Sequence, residues 1–318
     1  MSAVDLDVIV VNFNTAHLLD RMFETLHAAS AGLSLNITVV DNASSDHSVK
    51  HMQSRWPEVR LIQNSTNVGF GRANNQALSH LQGRHTLLLN TDAFVAPDCV
   101  RTALAYLDQH PRVGIVGVRL IGRDGSLQPS CRYFPTPLNI FLNRTGLSRL
   151  LPFVRLVDDM AWDHQSARPC DWVPGCFYLV RREVIEQLGL FDSRYFMYYE
   201  EVDHCKRAKA AGWEVHYLGT TSCIHLGGES AATVSEVSAK GRQISALQVE
   251  SELLYMRKHH GVAGLAAHLV LGWLGDCLLA AKQLLKGRGL AAALSEFGNS
   301  RLFLRIGGLT SWGSRPTR

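Results

Sequence analysis

The amino-acid sequence predicts an α/β protein with a doubly wound, mostly parallel sheet and a C-terminal helical extension. Three observations support this fold class. Short apolar runs rich in β-branched residues punctuate the first 120 residues, segments with helical periodicity separate them, and beyond residue 230 the apolar residues recur at helical spacing. Strands that alternate with helices favour crossover connections and a parallel sheet covered on both faces. We therefore expect two domains, residues 1–230 and 231–318.

The first half of the chain contains the predicted strands and helices in alternation. Strands are expected at 8–11, 37–40, 59–62, 86–89 and 113–118, and helices near 16–30, 45–55, 70–81 and 97–109. The sequence Arg123-Asp124-Gly125 is typical of a turn between two strands. Further on, a long helix is expected from about 236 to 260, followed by Gly261 and a second apolar helix to about 286.

Polar side chains follow the first, second and fourth predicted strands. They are Asn12 and Asn14, then Asp41, then Asn90 and Asp92. Ligands of open α/β sheets bind beyond the carboxyl ends of the strands, and these ends meet at one edge of the sheet. The recurrence of polar groups at that edge favours a binding site. For the residues at 44–46, helix capping is the favoured interpretation.

A segment with two glycines, Asn67 to Asn75, lies where the third strand gives way to a helix. Gly69 and Gly71 would let the backbone approach a ligand, and the N–H groups that open the helix could bind an anion beside Arg72. The glycine spacing matches neither the dinucleotide fingerprint nor the Walker loop. A plain turn is therefore the alternative.

The segment Glu200-Glu201-Val202-Asp203 places three carboxylates in four residues just before a helical pattern. Adjacent like charges raise one another's pKa values, so a fold that keeps them together usually has a use for a base or a cation. For Asp203, a position in the first turn of the helix, where the dipole favours an acid, is the simpler interpretation. Together with Asp92 and His225, the acids predict a divalent-metal site with a carboxylate base beside it.

Composition and charge limit the classes of protein to consider. An apolar fraction of 46% is ordinary for a globular protein, and a net charge of +4 is too small for phosphate tracking along a nucleic acid. The seven cysteines show no C-x-x-C spacing, and the first apolar run follows two aspartates rather than basic residues. These features predict reduced thiols and a cytoplasmic protein without a secretory signal.

The C-terminal part is distinctly basic. From residue 282 onward seven Lys and Arg residues face one Glu, a net charge of +6. The stretch from Gly261 to Gly275 is uncharged, but its 15 residues are fewer than the roughly 20 that a bilayer span needs. A helix lying on the inner face of the cell membrane is therefore favoured over a transmembrane helix. A solvated tail and a helix that packs on protein are the alternatives.

Four ordered blocks of the sequence resemble the family-2 inverting glycosyltransferases, in particular their rhamnosyltransferase-like branch. The resemblance extends from Val8 to about Ser230 and implies a nucleotide-diphospho-sugar transferase fold. The blocks are Val10-Val11-Asn12-Phe13-Asn14, Val39 to Asp46, Asn67-Val68-Gly69-Phe70-Gly71 with Asn75, and Phe191-Asp192 through Glu200-Glu201-Val202-Asp203 to Arg207 and Gly212.

The resemblance implies roles for individual residues. Asp41 would hydrogen-bond the nucleotide base, and Asp92 and His225 would bind the Mg²⁺ or Mn²⁺ that holds the donor diphosphate. Glu201 would be the base that activates the acceptor, with Glu200 as a competing assignment or as a contact to acceptor hydroxyls. The other residues expected on the donor side are Asn12, Asn14, Asn67, Gly71, Asn75 and Asn90.

The sequence departs from the family at two of these positions. Asn90 stands where the family has an acid, and Glu201 stands where aspartate is usual. The first departure lowers the negative charge available to a cation. The second moves the base by one methylene group.

A further block, Trp172-Val173-Pro174-Gly175-Cys176, resembles the family segment that lines the acceptor side. The indole of Trp172 could cover the apolar face of a sugar with Gly175 beside it, and a core position for Trp172 is the alternative. Residues 135–170 would form an insertion that faces the acceptor. Its neighbouring arginines, available for phosphate or simply solvated, are Arg132, Arg144, Arg149 and Arg155.

The resemblance implies a metal-dependent inverting glycosyltransferase. It would move L-rhamnose from dTDP-rhamnose to a polyprenyl-diphosphate-linked sugar in cell-envelope polysaccharide synthesis. UDP- or GDP-linked donors, the linkage formed and the oligomeric state stay open. A sugar-phosphate nucleotidyltransferase would need a glycine-rich basic loop after strand one, which Asn12-Phe13-Asn14-Thr15 does not supply. A carbohydrate-binding scaffold with a decayed site is the non-enzymatic alternative, motivated by Asn90 and Glu201.

Overall fold

A computed structural model of the chain describes residues 4–227 and 242–318, which form two compact units. The first unit contains residues 4–132, 160–196 and 200–227, and the second contains 133–159, 197–199 and 242–318. The domain boundary predicted at residue 230 lies outside the described residues. The division into 1–230 and 231–318 therefore stays a prediction.

The first unit is built on a mixed sheet with ten strands among the described residues. The main path orders the strands β3-β2-β1-β4-β9-β6-β10-β5, while β7 pairs with β6 and β8 pairs with β10. The strands are β1 (Leu6–Asn12), β2 (Leu35–Asp41), β3 (Arg60–Gln63), β4 (His85–Leu89), β5 (Ala93–Val95), β6 (Val113–Ile121), β7 (Leu127–Gln128), β8 (Ala167–Cys170), β9 (Phe177–Arg181) and β10 (Glu214–His225).

Most strands run in one direction, which confirms the predicted fold class. Strands β3, β2, β1 and β4 are successive parallel neighbours, and β10 is parallel to β6. Because β9 lies antiparallel between β4 and β6, the pair β6 and β10 points the same way as the first four. The five predicted strands are β1 to β4 and β6, and the predicted turn at 123–125 does join two strands, β6 and β7.

Helices connect these strands and form the second unit. The predicted helix at 70–81 ends early, since it continues beyond Gln76 only as a short 3₁₀ helix, Ala77–His80. The helices of the described residues are α1 (Ala16–Ala29), α2 (Ser48–Arg55), α3 (Phe70–Gln76), α4 (Cys99–Gln109), α5 (Pro137–Thr145), α6 (Arg182–Leu188), α7 (Glu200–Ala210), α8 (Arg242–Leu285), α9 (Gly289–Ser295) and α10 (Gly298–Leu309).

The central strand β1 is buried on both of its faces. Val8 and Val10 belong to one core cluster with Leu19 and Phe23 of α1. Ile9, which points to the opposite face, is 1% exposed. A strand buried on both sides needs cover on both faces of the sheet, as the doubly wound arrangement supplies.

In the second unit, helix α8 is interrupted where the sequence predicts a break between two helices. Gly261 has φ 67° and ψ −168°, a conformation that glycine adopts without a Cβ clash. After the break, Asp276 is fully buried and pairs with Arg144 of α5 and with the Ser300 hydroxyl of α10. Arg144 is thus held in an internal ion pair, whereas the sequence left it either available for phosphate or simply solvated.

One helix of the described residues is long and apolar enough to cross a membrane. The most apolar 18-residue window within Ala246–Leu285 has a mean hydropathy of 1.7, and 22% of that window is buried. Trp273 and Leu285 of this helix are 53% and 89% exposed. The helix therefore differs from a core helix of a soluble protein, whose apolar residues are mostly covered.

Candidate functional site

The ends of β1, β2 and β4 are joined by buried side-chain hydrogen bonds. Asn12 donates from Nδ2 to Asp41 Oδ1 at 2.7 Å and to Ser44 Oγ at 3.0 Å. The Thr15 hydroxyl donates to Asn12 Oδ1 at 2.7 Å and lies 2.9 Å from Thr91 Oγ1. We call these five residues, Asn12, Thr15, Asp41, Ser44 and Thr91, the strand-end network. The strand-end network therefore joins the polar residues that end or follow β1, β2 and β4, as the sequence predicted for one edge of the sheet.

The loop after β2 is fastened to the loop after β1. Asn14 has φ 54°, and its Oδ1 accepts from the Ser45 backbone N–H at 2.7 Å. Asp46 accepts from the backbone N–H of Ala16 at 2.9 Å and of Ser48 at 3.0 Å, the first residues of α1 and α2. Asp46 thus accepts from the first N–H of two helices, although the N-cap positions themselves are Thr15 and His47. Ser44 instead belongs to the strand-end network.

The glycine segment is folded against the loop that precedes the acids. Asn67 Oδ1 accepts from Asn42 Nδ2 at 2.8 Å and from the Gly69 N–H at 2.9 Å. At Gly69 φ is 91°, and a Cβ there would lie 2.5 Å from the Phe196 carbonyl oxygen. Only glycine fits this position, because the segment passes directly over residue 196.

Two residues of α3 hold the segment before α7. The Asn75 amide donates to the Phe191 carbonyl at 2.7 Å and accepts from the Phe191 N–H at 3.1 Å. A Cβ on Gly71 would lie 3.4 Å from Phe191 Cβ and 3.7 Å from Glu200 Cβ. The glycine segment thus lies beside the first turn of α7, where the acids are located. Donor binding by Asn14, Asn67, Gly71 and Asn75 stays a prediction.

Glu200 and Glu201, which we call the acid pair, open helix α7. Glu200 is 5% exposed, Glu201 is partly buried, and Oε2 of each is buried without a hydrogen-bond partner among the described residues. Burial, and then the charge of Glu201, raises the pKa of Glu200 well above its usual value. Burial also raises the pKa of Glu201, but backbone amides and the Arg132 guanidinium oppose that rise.

The two acids therefore differ in what opposes the rise of the pKa. No cation lowers the pKa of Glu200, whereas the Arg132 guanidinium, after a backbone amide, lowers that of Glu201. Which of the two acids is the base stays a prediction. Asp203 is buried in the same turn and pairs with Arg207 at 2.8 Å.

The acceptor-side block lies next to the acid pair. The Arg132 guanidinium stacks over the Trp172 ring at 4.2 Å from the ring centre. A Cβ on Gly175 would lie 4.0 Å from Glu201 Cβ and 3.5 Å from the Phe70 ring. Trp172 is 5% exposed, so most of its indole is covered within the protein.

Asp92 and His225 come together where β4 leads into β5. His225 Nε2 lies 3.6 Å from Asp92 Oδ1, and Asp92 Oδ2 accepts from the Gly227 N–H at 3.1 Å. The residue pair His225 and Ala93 is in register between β10 and β5, which fixes this approach. On the other side of the imidazole, Nδ1 lies 2.9 Å from Gln128 Oε1.

Cys176 connects the acid pair with Asp92. Its backbone carbonyl accepts from the Asn90 N–H at 3.0 Å. Burial raises the pKa of the Cys176 thiol, and the nearby charges of Asp92 and, more weakly, Glu201 raise it further. The carboxylates of Asp92 and Glu201 therefore both lie close enough to the Cys176 thiol to affect its pKa. A buried thiol with a raised pKa packs in the core and is not a nucleophile.

The residues fit a divalent cation that takes only part of its ligands from protein. Two ligands of one Mg²⁺ lie at most about 4 Å apart, and Asp92 Oδ1 and His225 Nε2 meet this limit at 3.6 Å. The described residues contain no group of three or more His, Cys, Asp or Glu side chains that could hold a metal ion. Any cation here would need further oxygen ligands from the donor phosphates or water.

Sequence reasoning missed one contributor to this site. Gln128 contacts His225 although 97 residues separate them, and an isolated Gln carries no sequence signal. Thr15 and Thr91, polar residues that follow the first and fourth strands, link the loops after β1 and β4. The sequence left Arg132 either available for phosphate or simply solvated, and the structure places it on the Trp172 ring near Glu201.

Comparisons with known proteins give consistent results. The profile described as "Glycosyl transferase family 2" matches residues 7–168. The chain is 30% identical over 237 residues to the N-acetylglucosaminyl-diphospho-decaprenol L-rhamnosyltransferase of Mycobacterium tuberculosis (strain ATCC 25618 / H37Rv), covering 69% of this chain and 75% of that protein. It is 26% identical over 229 residues to the rhamnosyltransferase WbbL of Escherichia coli (strain K12), covering 69% of this chain and 82% of that protein.

Solved structures share the fold. The mannosyltransferase PcManGT from Pyrobaculum calidifontis, in complex with GDP-Man and Mn²⁺, aligns with a TM-score of 0.57 and 17% identity, covering 98% of this chain and 88% of that chain. TarS 1–349 of S. aureus, in complex with UDP-GlcNAc, aligns with a TM-score of 0.52 and 14% identity, covering 98% and 92%. At these identities the likeness concerns architecture alone, and it confirms the predicted nucleotide-sugar transferase fold.

Proposed function

Since the chain belongs to glycosyl transferase family 2, we propose that it transfers L-rhamnose from dTDP-rhamnose to a polyprenyl-diphosphate-linked sugar during cell-envelope polysaccharide synthesis. The choice of sugar is supported by the two rhamnosyltransferases to which the chain is similar. The lipid-linked acceptor is supported by the name of the mycobacterial relative. A UDP- or GDP-linked sugar is the alternative donor.

The observation that carries the proposal is the acid pair at the start of α7. Glu201 has a buried, unpartnered Oε2 beside Gly175, and the Arg132 guanidinium favours its ionised form. A partly desolvated carboxylate with a raised pKa is suited to remove a proton from a hydroxyl group. Glu200 would remain protonated and could donate a hydrogen bond to the acceptor.

The proposed reaction is a single displacement. Glu201 takes the proton from the acceptor hydroxyl, while the oxygen of that hydroxyl forms a bond to the anomeric carbon of the donor sugar. The bond from that carbon to the phosphate oxygen breaks, and the electron pair leaves with the nucleoside diphosphate. The configuration inverts because attack and departure occur on opposite faces. A single base suffices, since no covalent glycosyl-enzyme intermediate is formed.

On the donor side, Asp92 and His225 would hold Mg²⁺ or Mn²⁺. When bound, the cation would neutralise the charge that develops on the leaving diphosphate. Asp41 would present its carboxylate to the nucleotide base from within the strand-end network. Both oxygens of Asp41 already accept hydrogen bonds, from Asn12 and from the Ser44 N–H, which holds the carboxylate in one orientation.

The test is a donor screen with the full-length protein. Release of nucleoside diphosphate would be measured for dTDP-rhamnose, UDP-N-acetylglucosamine and GDP-mannose, with a lipid-linked N-acetylglucosamine acceptor and with Mg²⁺ or Mn²⁺. Release that requires dTDP-rhamnose and the acceptor supports the proposal. Turnover with only one of the other donors would mean that its sugar, and not rhamnose, is transferred. No turnover with any donor would favour the carbohydrate-binding scaffold.

We also propose that the protein is cytoplasmic and lies on the inner face of the cell membrane through its second unit. Apolar side chains are exposed along α8, α9 and α10, including Trp273, Leu285 and Leu290 at 53%, 89% and 65%. From residue 282 onward the net charge of +6 complements anionic lipid headgroups. Exposed aromatic and aliphatic side chains together with an excess of basic residues are typical of an interfacial helix.

Co-sedimentation of the full chain with vesicles tests this location. We expect binding to vesicles rich in phosphatidylglycerol, weak binding to pure phosphatidylcholine, and loss of binding in the double variant Trp273→Glu, Leu285→Glu. Met160→Glu is the matched control, because Met160 is 46% exposed and belongs to the first unit. Binding that survives the double variant, or equal binding to both vesicles, would contradict this location.

A further inference from the structure

We infer that Gln128 is a positioning residue that holds His225 in the one neutral tautomer able to bind a cation beside Asp92. Gln128 lies on the two-residue strand β7, which the turn at 123–125 pairs with β6. Its side chain makes two contacts with the same histidine. Nε2 donates to the His225 carbonyl at 2.9 Å, and Oε1 lies 2.9 Å from His225 Nδ1.

The first contact determines the orientation of the Gln128 amide. The His225 carbonyl oxygen can only accept, so the group that faces it must be the amide NH₂. The amide oxygen is therefore the group that faces the imidazole. The two ends of a Gln amide are otherwise hard to distinguish, and here the backbone carbonyl resolves the ambiguity.

The second contact then determines the tautomer. An amide oxygen accepts and cannot donate, so His225 Nδ1 must carry a hydrogen to bond with it. Of the two neutral tautomers, only the Nδ1–H form satisfies this contact, and it leaves a lone pair on Nε2. Nε2 is the atom that lies 3.6 Å from Asp92 Oδ1. The lone pair and the carboxylate are thus both available on the same side of the ring.

The hairpin that delivers Gln128 is itself well defined. The Gly122 N–H donates to the Ser126 carbonyl at 2.7 Å, and the Ser126 hydroxyl donates to Asp124 at 2.6 Å. In strand register Gln128 lies opposite Leu120. The turn that the sequence predicted between two strands therefore positions Gln128, which in turn orients the proposed metal ligand His225. Outer contacts of this kind typically change metal affinity by about 10–100-fold.

This inference rests on the proposed metal site. Two measurements, the tautomer of His225 and the affinity for Mn²⁺, test the role of Gln128 and the metal site separately. The tautomer of His225 is measured by ¹⁵N NMR of the metal-free, full-length protein labelled at histidine, with His225→Gln used for assignment. Mn²⁺ affinity is measured by calorimetry with and without dTDP. In Gln128→Met we expect a mixture of tautomers and Mn²⁺ binding weaker by about 10–100-fold.

Two variants serve as controls. Gln128→Glu keeps an acceptor for Nδ1–H, although it loses the donor to the His225 carbonyl, and should keep the wild-type tautomer. Ser126→Ala removes only the hydroxyl bond to Asp124 and keeps the backbone bond between Gly122 and Ser126, so it should leave both readouts unchanged. A Gln128→Met protein that retains only the Nδ1–H tautomer would overturn the inference. Wild-type protein that binds no Mn²⁺ would overturn the proposed metal site, while the NMR result would still decide the role of Gln128.

Discussion

The strand-end network and the acid pair are two buried polar clusters of the first unit, and they differ in how completely their hydrogen bonds are made. In the strand-end network both carboxylate oxygens of Asp41 accept hydrogen bonds from within the chain. In the acid pair, Oε2 of Glu200 and Oε2 of Glu201 have no partner among the described residues. One cluster is complete without a ligand, and the other is not.

On the proposed function, the difference separates a cluster that holds loops from one that receives a substrate. Leaving a buried polar group without a partner costs about 1–3 kcal/mol, and native proteins contain few such groups. In the proposed reaction the substrate would supply the partners that the acid pair lacks. The satisfied cluster, in contrast, is suited to hold loops in place before any ligand arrives.

The largest effect is expected from Glu201→Gln. This change keeps the size of the side chain but removes the base, so kcat should fall by about 10²–10⁴-fold. Binding of the nucleotide donor, measured by calorimetry, should be retained. Glu186→Gln is the control, because Glu186 is a surface residue whose side chain is 63% exposed. If Glu201→Gln retains wild-type turnover, Glu201 is not the base, and Glu200→Gln then tests the competing assignment.

The second effect tests the scaffold side of the comparison. Asn12→Ala removes one partner of Asp41 and of Thr15 in a fully buried position. We expect the free energy of unfolding in urea to fall by about 1–3 kcal/mol. Ser45→Ala, a change at an exposed hydroxyl of the neighbouring loop, should cost much less. Equal losses in the two variants would mean that the strand-end network does not stabilise the fold.

The smallest effect concerns Glu200 and depends on pH. Because the folded pKa of Glu200 lies above the usual 4.5, the native state holds a proton that the unfolded chain releases. This term favours folding at low pH and is lost as pH rises through the folded pKa. Glu200→Gln has no such loss, so its stability relative to wild type should grow between about pH 5 and pH 8. Urea unfolding at both pH values measures the difference, and a pH-independent difference would contradict a neutral Glu200.

Much of the fold could be predicted from the sequence, for identifiable reasons. Strands β1 and β4 are apolar runs buried on both faces, so they stand out from the helical segments beside them. Strand β5 has three residues, and β8 contains Pro169, so neither carries a usable pattern. The break at Gly261 was predictable because a glycine between two helical patterns favours a positive φ.

The candidate site was less accessible to sequence reasoning alone. Glu201 lies in one of the four blocks that resemble a family, whereas the roles of Asp92 and His225 came only as what the resemblance implies. The approach of Asp92 to His225 depends on the register of β5 with β10. The one cation that lowers the pKa of Glu201 is Arg132, almost 70 residues earlier in the chain. Contacts of this range are set by tertiary packing, which no local pattern records.

The buried carboxylate of Asp276 has a consequence for how the second unit can meet a lipid phase. To enter the hydrocarbon interior as an isolated segment, helix α8 would have to separate from Arg144 and Ser300. A buried carboxylate stripped of its partner costs about 3–5 kcal/mol. If the three helices that share this ion pair stay together, the proposed position on lipid headgroups costs less than insertion of α8 alone into the hydrocarbon.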